Sequence, residues 1–301
     1  IESLWSEIKT CFRLKAVETA KMYVGIGIDA KSDTNISFNQ TGFSTKLIND
    51  FKNEIEKVNE GLVMKPTAVP MVEMPDINED VGILAGSCRT WVGSLLYLCR
   101  GTRPEISYSL SVVARYVHKW NKSCDKVLLR LMSYVDGTKS AKLVYPRLKG
   151  KIEEVEIIIE ADADLGGDKN VRKSTAGYNV YISDKENNKC LIEWNSKLIA
   201  SVCLSTAESE IMAIHRAVLR AIKYSLILEG LFERKINVTI KTDAAAAKAA
   251  ALSGYSKKLF YLSRTQGISI VWLSQFFEKD ENTLEKIDTT LNTADINTKA
   301  L

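Results

Sequence analysis

One change of period constrains this chain more than any other feature. After Lys149-Gly150 the apolar residues stop recurring at helical spacing and fall into short runs divided by turn residues. Ile157-Ile-Ile159, Tyr178 to Ile182 and Cys190 to Trp194 read as three consecutive strands, an antiparallel meander. Ser205 to Leu231 is a long helix opening on Ser205-Thr-Ala-Glu208, a capping-box pattern. Ile236 to Thr242 is a fourth strand and the Ala-rich 244–252 a second helix. Ile268 to Leu273 is a fifth strand, and about Leu291 to Ala300 a short last helix. Three strands, then strands alternating with helices, predict an α/β unit on a mixed sheet.

The front half reads differently. Ala20 to Ile28 is an apolar strand, and Ile36 to Phe38 returns beside it as a hairpin. Helical spacing over 45–58 puts Leu47, Ile48, Phe51, Ile55 and Val58 on one side. Gly61 to Asp80 carries Pro66, Pro70 and Pro75 and reads as a loop or linker. Helices follow over 88–99, over 104–118 with Pro104 in its first turn, and over about 123–135, ending at Asp136-Gly137. At 301 residues the chain is expected to form two domains.

Charge sets these helices apart. Residues 81–150 hold 12 Lys and Arg against 3 Asp and Glu, whereas 1–80 hold 9 against 13 and 151–301 hold 20 against 21. Arg100, Arg103, Arg115, Lys119, Lys126 and Arg130 lie opposite the apolar faces. That is the footprint of a polyanion-binding surface, or of a solvated basic face.

Several classes are excluded or disfavoured. No apolar run of about 18 residues exists, which argues against a membrane-spanning helix. No secretory signal is visible, and the start at Ile1 is read as that of a fragment or a trimmed chain. Six cysteines without C-x-x-C spacing and only two histidines argue against structural zinc and for buried thiols in a reducing compartment. His118 and His215 are expected on helix surfaces, Trp194 and Trp272 in the core.

Chemistry concentrates in carboxylates. Asp162 and Asp164, two apart on the first strand of the second half, share a face. Asp243 ends the fourth strand, Glu210 lies one turn into the long helix, and Asp295 precedes or enters the last helix. Crowded carboxylates raise one another's pKa unless a cation compensates. Oxygen ligands of this kind suit Mg²⁺, and a pair of such ions can activate water against a phosphodiester. Each acid also has a plainer reading: solvated strand ends, a helix-dipole partner for Glu208 or Glu210, and N-caps for Asp243 and Asp295.

At this point the residues resemble a known family. Trp91-Val-Gly-Ser-Leu-Leu-Tyr-Leu98 with Thr102-Arg-Pro-Glu-Ile-Ser107, Tyr134-Val-Asp-Gly-Thr138 and Leu143-Val-Tyr145 are similar to a block in the Pol polyprotein of copia-type LTR retrotransposons. Asp162-Ala-Asp-Leu-Gly-Gly-Asp168 with Arg172-Lys-Ser-Thr-Ala-Gly-Tyr178 resembles the first motif of that family's ribonuclease H domain. Leu204-Ser-Thr-Ala-Glu-Ser-Glu-Ile-Met-Ala213, Thr242-Asp243 and Thr293-Ala-Asp-Ile-Asn-Thr-Lys-Ala-Leu301 look like its later motifs, in order.

The resemblance implies a ribonuclease H-like mixed five-stranded sheet with flanking helices over 151–301. A mainly helical reverse-transcriptase thumb and connection, with a short β-hairpin, would occupy 43–150, and the end of the palm 1–42, with Phe12-Arg-Leu-Lys15 through Ile28 as last palm strands. It places the family's four metal-binding acids on Asp162, Glu210, Asp243 and Asp295, binding two Mg²⁺ ions with Mn²⁺ as a substitute, and Asp164 behind them. Glu210 is preferred to Glu208 because Ile-Met-Ala follows it. The implied activity is cleavage of the RNA strand of an RNA–DNA hybrid, gripped by the basic helices and by Arg172 and Lys173. An upstream palm of the same polyprotein would be a partner, and the location cytoplasmic, in a virus-like particle, and/or nuclear; the oligomeric state is not implied. The polymerase's Tyr-x-Asp-Asp motif is not in this sequence.

The sequence departs from the family at several points. Ala244 to Ala247 follow Asp243 where the family has Asn and a polar residue, and Leu165 stands where it often has Trp. Ser256 to Arg264 lacks its Lys-His-Ile-Asp pattern, and no histidine lies near Asp295. These departures bear on rate and substrate grip, and they motivate an alternative: a catalytically silent nucleic-acid-binding remnant. A strand-transfer enzyme on the same fold is disfavoured by the fourth acid, Asp295.

Overall fold

The computed structural model describes residues 2–11, 20–30, 33–58, 61–77, 80–149 and 151–300. The expectation for Phe12 to Lys15 lies outside these described residues.

A short helix, α1 (Glu2–Cys11), precedes a small sheet. The run read as one strand over 20–28 is split into β1 (Met22–Tyr23) and β2 (Ile26–Asp29). Val24 and Gly25 both have positive φ, 46° and 76°, which makes a tight hairpin turn of the kind that matches strand twist. The Tyr97 hydroxyl donates to the Val24 carbonyl at 2.5 Å and ties that turn to the helices. β3 (Asn35–Asn39) returns antiparallel to β2, as the hairpin reading requires.

α2 (Thr41–Val58) buries Leu47, Ile48, Phe51 and Ile55. α3 (Cys88–Thr102) ends before Pro104, and after a 3₁₀ turn over Pro104–Ile106 α4 (Ser107–Ala114) follows, ending four residues before its apolar pattern suggested. α5 (Lys122–Gly137) starts at Asn121, whose side chain accepts the Cys124 N–H at 2.9 Å. β4 (Lys142–Pro146) then pairs with β3, completing a four-stranded antiparallel sheet where the sequence suggested two strands. The core of this half includes Ile48, Phe51, Leu95, Leu98, Leu128 and Leu131, each at most 1% exposed. Burying such a side chain contributes about 1.5–3 kcal/mol.

The second half is α/β. β5 (Glu156–Ala163), β6 (Thr175–Ser183) and β7 (Lys189–Leu198) form the antiparallel meander. α6 (Thr206–Phe232) crosses over them, and β8 (Val238–Thr242) joins β5 in parallel. α7 (Ala245–Ser253), α8 (Leu262–Thr265) and α9 (Ile270–Phe277) follow, then β9 (Asn282–Lys286), parallel to β8. The sheet order is β7-β6-β5-β8-β9: five strands, mixed, with flanking helices.

The fifth strand is therefore not Ile268 to Leu273. Ser269 is an N-cap whose hydroxyl accepts the Trp272 N–H at 3.2 Å, and Ile270, Leu273, Ser274 and Phe276 are buried with helical spacing. The strand lies later, where Asn282 and Leu284 are buried and Thr283 and Glu285 exposed, the alternation of an edge strand. Trp272 is 37% exposed and packs edge-on against the half-buried His215, while Trp194 is half-buried, not core. The last helix is two 3₁₀ turns, Thr289–Leu291 and Thr293–Asn297.

The two halves are joined by polar contacts. Arg115 pairs with the buried Asp168 at 2.7 Å. Asn170 donates to the Tyr116 hydroxyl at 2.6 Å and the Pro75 carbonyl at 2.8 Å, and the Tyr145 hydroxyl to the Leu191 carbonyl at 2.5 Å.

Candidate active site

β5 and β8 run side by side in the same direction. Their register pairs Ile159 with Ile240 and Glu160 with Lys241. Continued by two residues, it brings Asp162 level with Asp243. Neighbouring strands lie about 4.8 Å apart, so both carboxyls are presented at one spot.

α6 supplies the third acid. Ser205 caps the helix by accepting the Glu208 N–H at 3.2 Å, and Glu208 Oε2 accepts the Leu204 N–H at 2.7 Å rather than that of Ser205. Helix residues two apart do not share a face. Glu208 faces Tyr261 and Gln266, which donate to it at 2.9 and 2.8 Å. Glu210 faces the sheet, and carboxylate oxygens of Asp162, Glu210 and Asp243 lie within 4.8 Å of one another. The choice of Glu210 over Glu208 thus has a geometric basis. Asp243 is not an N-cap: Ala244 holds that place and no side chain caps α7.

Burial above all, then the charges of Asp162 and Asp243, push the Glu210 carboxyl up to about 9. Burial also raises Asp162, against the Thr298 hydrogen bond and Lys299, which pull it down. Glu210 Oε2 is buried and has no hydrogen-bond partner among the described residues. An unserved buried carboxylate oxygen is costly unless a proton or a cation meets it. Three clustered hard oxygen donors, one of them orphaned, fit a divalent cation such as Mg²⁺.

A pH effect on stability follows. The folded state binds the Glu210 proton more tightly than the unfolded chain, whose ordinary value is 4.5. The associated stability is complete below that value and is lost as pH rises through about 9. Without metal, Tm should therefore decline between about pH 5 and pH 9, by about 2–4 °C per kcal/mol lost. Glu210→Gln should flatten the decline and Mg²⁺ should oppose it. Melts in chelator across that range check this; an equal decline in parent and variant would refute it.

Asp295 does not join the three. It lies on the turn Thr293–Asn297, its side chain 32% exposed, with Oδ1 accepting from Lys299 Nζ at 2.8 Å. The same ammonium is 4.0 Å from Asp162. Burial opposes the Lys299 charge, but the Asp295 hydrogen bond and the nearby carboxylates outweigh it and raise its pKa. Four acids were expected to converge; the structure clusters three and holds the fourth beside them through a lysine.

The residues that place this turn were missed in the sequence. Asn292 donates to the Ala161 carbonyl at 3.1 Å, the Thr293 N–H to Glu160 Oε2 at 3.0 Å, and Asn297 to Asn179 at 2.8 Å. The Thr298 hydroxyl donates to Asp162 itself. In the sequence Thr293, Asn297 and Thr298 stood only inside the run that resembles the family's closing motif, with no role of their own, and Asn292 just before it. Beneath them, a Cβ on Gly177 would stand 2.6 Å from the Asn297 Cβ and 3.0 Å from the Thr298 Cγ2. Gly177→Ala should therefore push the turn away and destabilise the fold by about 1–3 kcal/mol, measured by urea unfolding. Unchanged stability would count against this packing.

The remaining site residues scatter. Asp164 is half-buried and accepts the Thr175 N–H outside the cluster. Arg100, Lys119, Lys126 and Arg172 are exposed, and Lys173 and Arg130 half-buried. Arg100 lines a cleft between the halves with Arg220 and Lys223. Arg103 and Arg115 need correction as phosphate contacts. Arg103 is 1% exposed and spent on Glu105 at 2.5 Å and on the Thr138 carbonyl and hydroxyl at 3.1 and 2.5 Å. Arg115 is spent on Asp168. Both sit at helix ends, where the sequence suggested an outward position; the neighbouring elements that cover them are invisible to local spacing.

No protein-family model matches the chain. Over a 319-residue alignment spanning all of it, the chain is 27% identical to the retrovirus-related Pol polyprotein from transposon TNT 1-94 of Nicotiana tabacum, covering 22% of that protein. It is 31% identical over 156 residues, 51% of its length, to the retrovirus-related Pol polyprotein from transposon RE1 of Arabidopsis thaliana, covering 10% of it. Over 131 residues, 44% of its length, it is 30% identical to the secreted RxLR effector protein 161 of Plasmopara viticola, covering 86% of that shorter protein. The chain thus spans about a fifth and a tenth of the two Pol polyproteins. Among solved structures, the foamy viral protease-reverse transcriptase in complex with RNA/DNA hybrid aligns with 90% of this chain and 29% of its own, at 13% identity and a TM-score of 0.45.

Proposed function

We propose, from the premise that this chain belongs with the retrovirus-related Pol polyproteins of copia-type transposons, that residues 151–301 are a metal-dependent ribonuclease H. The observation that carries the proposal is the convergence of Asp162, Glu210 and Asp243, with Glu210 Oε2 left unpartnered. Residues 43–150 are a thumb and connection, and residues 1–42 the end of a palm whose catalytic motif is absent from this sequence. The chain would work beside an upstream palm, in the cytoplasm within a virus-like particle and/or in the nucleus.

Asp162, Glu210 and Asp243 would hold Mg²⁺, or Mn²⁺ in its place, with Asp295 as the added ligand for a second ion. Such ions, when bound, lower the pKa of water and offset charge on a phosphodiester's oxygens. The chain's own residues supply position and charge. The β5–β8 register and the first turns of α6 fix the three carboxylates, and Thr298 orients Asp162. Arg100, Lys119, Lys126 and Arg172 present exposed positive charge to phosphates. Recognition of a hybrid would rest on shape and 2′-hydroxyl contacts rather than base sequence.

The test is incubation of the chain with a hybrid labelled on its RNA strand, with Mg²⁺, Mn²⁺ or chelator. Metal-dependent nicking of the RNA strand alone is expected. The run Ala244 to Ala247 after Asp243 favours a second reading, a binding remnant without catalysis. Salt-sensitive hybrid affinity with no product at any metal concentration would select it.

A further inference from the structure

We propose that Lys299 is a built-in competitor of the second divalent ion: its ammonium neutralises Asp295 and Asp162, so that Asp295 takes part in metal binding only when Lys299 leaves. The inference rests on the reading of the acidic cluster as a metal centre.

The four acids present two unlike environments. Asp162, Glu210 and Asp243 lie together, and the Glu210 oxygen has no partner among the described residues. Asp295 instead has an ammonium on its Oδ1 at 2.8 Å, and that ammonium is the group nearest to a bridge between Asp295 and Asp162, at 4.0 Å from the latter. A first divalent ion can enter the three-acid cluster without touching the Lys299–Asp295 pair. A second that needs Asp295 must replace a monovalent cation already there.

The lysine is built to move. Its backbone is anchored: the Lys299 N–H donates to the Asp295 carbonyl at 3.2 Å, and the preceding Thr298 is fully buried and bonded to Asp162. Its side chain is 50% exposed, so the ammonium can swing into water from a fixed root. A partly exposed ion pair holds with less than about 1 kcal/mol, enough to delay a divalent ion but not to exclude it. Stepwise metal binding with separated affinities is the consequence. Lys299 is on this account a positioning residue that sets how many ions the site holds at a given concentration.

The experiment is Mn²⁺ titration of the full chain, followed by the electron paramagnetic resonance signal of free Mn²⁺ and by calorimetry. The parent should show a tighter and a weaker step. Lys299→Met should tighten the weaker step by up to about fivefold and the tighter one by less, since the ammonium touches Asp295 at 2.8 Å and stands 4.0 Å from Asp162. Lys299→Gln, shorter and polar, should do the same, and circular dichroism of both variants establishes that they fold. Asp295→Asn should remove the weaker step, and Asp162→Asn should weaken the tighter one. A weaker step unchanged in both Lys299 variants would overturn the proposal while leaving the metal centre standing. Mn²⁺ binding indifferent to Asp162 would overturn the metal reading itself.

Discussion

We expect Asp162→Asn to abolish metal-dependent cleavage of the hybrid's RNA strand, by more than about 100-fold, while hybrid affinity changes little. Asp162 is the hub of the site: it shares the three-acid cluster, accepts from Thr298 and faces Lys299. Losing a group that only orients a metal ligand already costs about 10–100-fold. Losing a ligand should cost more. The substitution keeps shape and the Thr298 acceptor, and it removes one of several crowded negative charges, so the fold should hold or gain slightly. The check is a single-turnover cleavage time course beside a filter-binding isotherm. Cleavage by the variant within a few-fold of the parent would sink the assignment of the site.

The second large effect concerns Arg103. Arg103→Met should lower unfolding stability by about 3 kcal/mol without changing the salt dependence of hybrid binding. The guanidinium is buried, over the Tyr134 ring at 5.7 Å, and paired with Glu105, whose side chain keeps 26% exposure. Breaking a buried pair by deleting one partner costs about 3–5 kcal/mol, and the access of Glu105 to water puts this case at the low end. The Thr138 carbonyl also loses its donor. A phosphate contact behaves oppositely: Lys119→Ala, at an exposed residue, should leave stability alone and reduce the salt slope by up to about 1. Denaturant unfolding and affinity at several salt concentrations separate the two. A reduced slope with unchanged stability in the Arg103 variant would restore the residue to the nucleic-acid surface.

Arg103 also shows where sequence reading stops. It stands at the break between two helices, outside both, and the conclusion that it faces solvent failed because burial depends on elements distant in sequence. The same reason separates Ile268 to Leu273 from its expected strand. A run rich in β-branched residues has strand propensity, but the Ser269 cap and the apolar neighbours of α9 decide for a helix. At Asp295 the residue was singled out correctly. Its tie to Lys299 arises on a 3₁₀ turn held by Asn292, Thr293 and Asn297, none of which carries a periodic signal.

What the sequence by itself determined was the set of local alternations: the meander, the capped α6, the strand β8 and the acids at the ends of these elements. Period and capping are properties of neighbouring residues, so they are written in the order of the chain. What only the tertiary structure decided was which charges meet. The β5–β8 register brought Asp162 level with Asp243, the turn of α6 sent Glu208 and Glu210 to opposite sides, and the fold of the last residues gave Asp295 to a lysine. Carboxylate interactions act over a few ångströms of space, and residues far apart in sequence reach that range only once the sheet has formed.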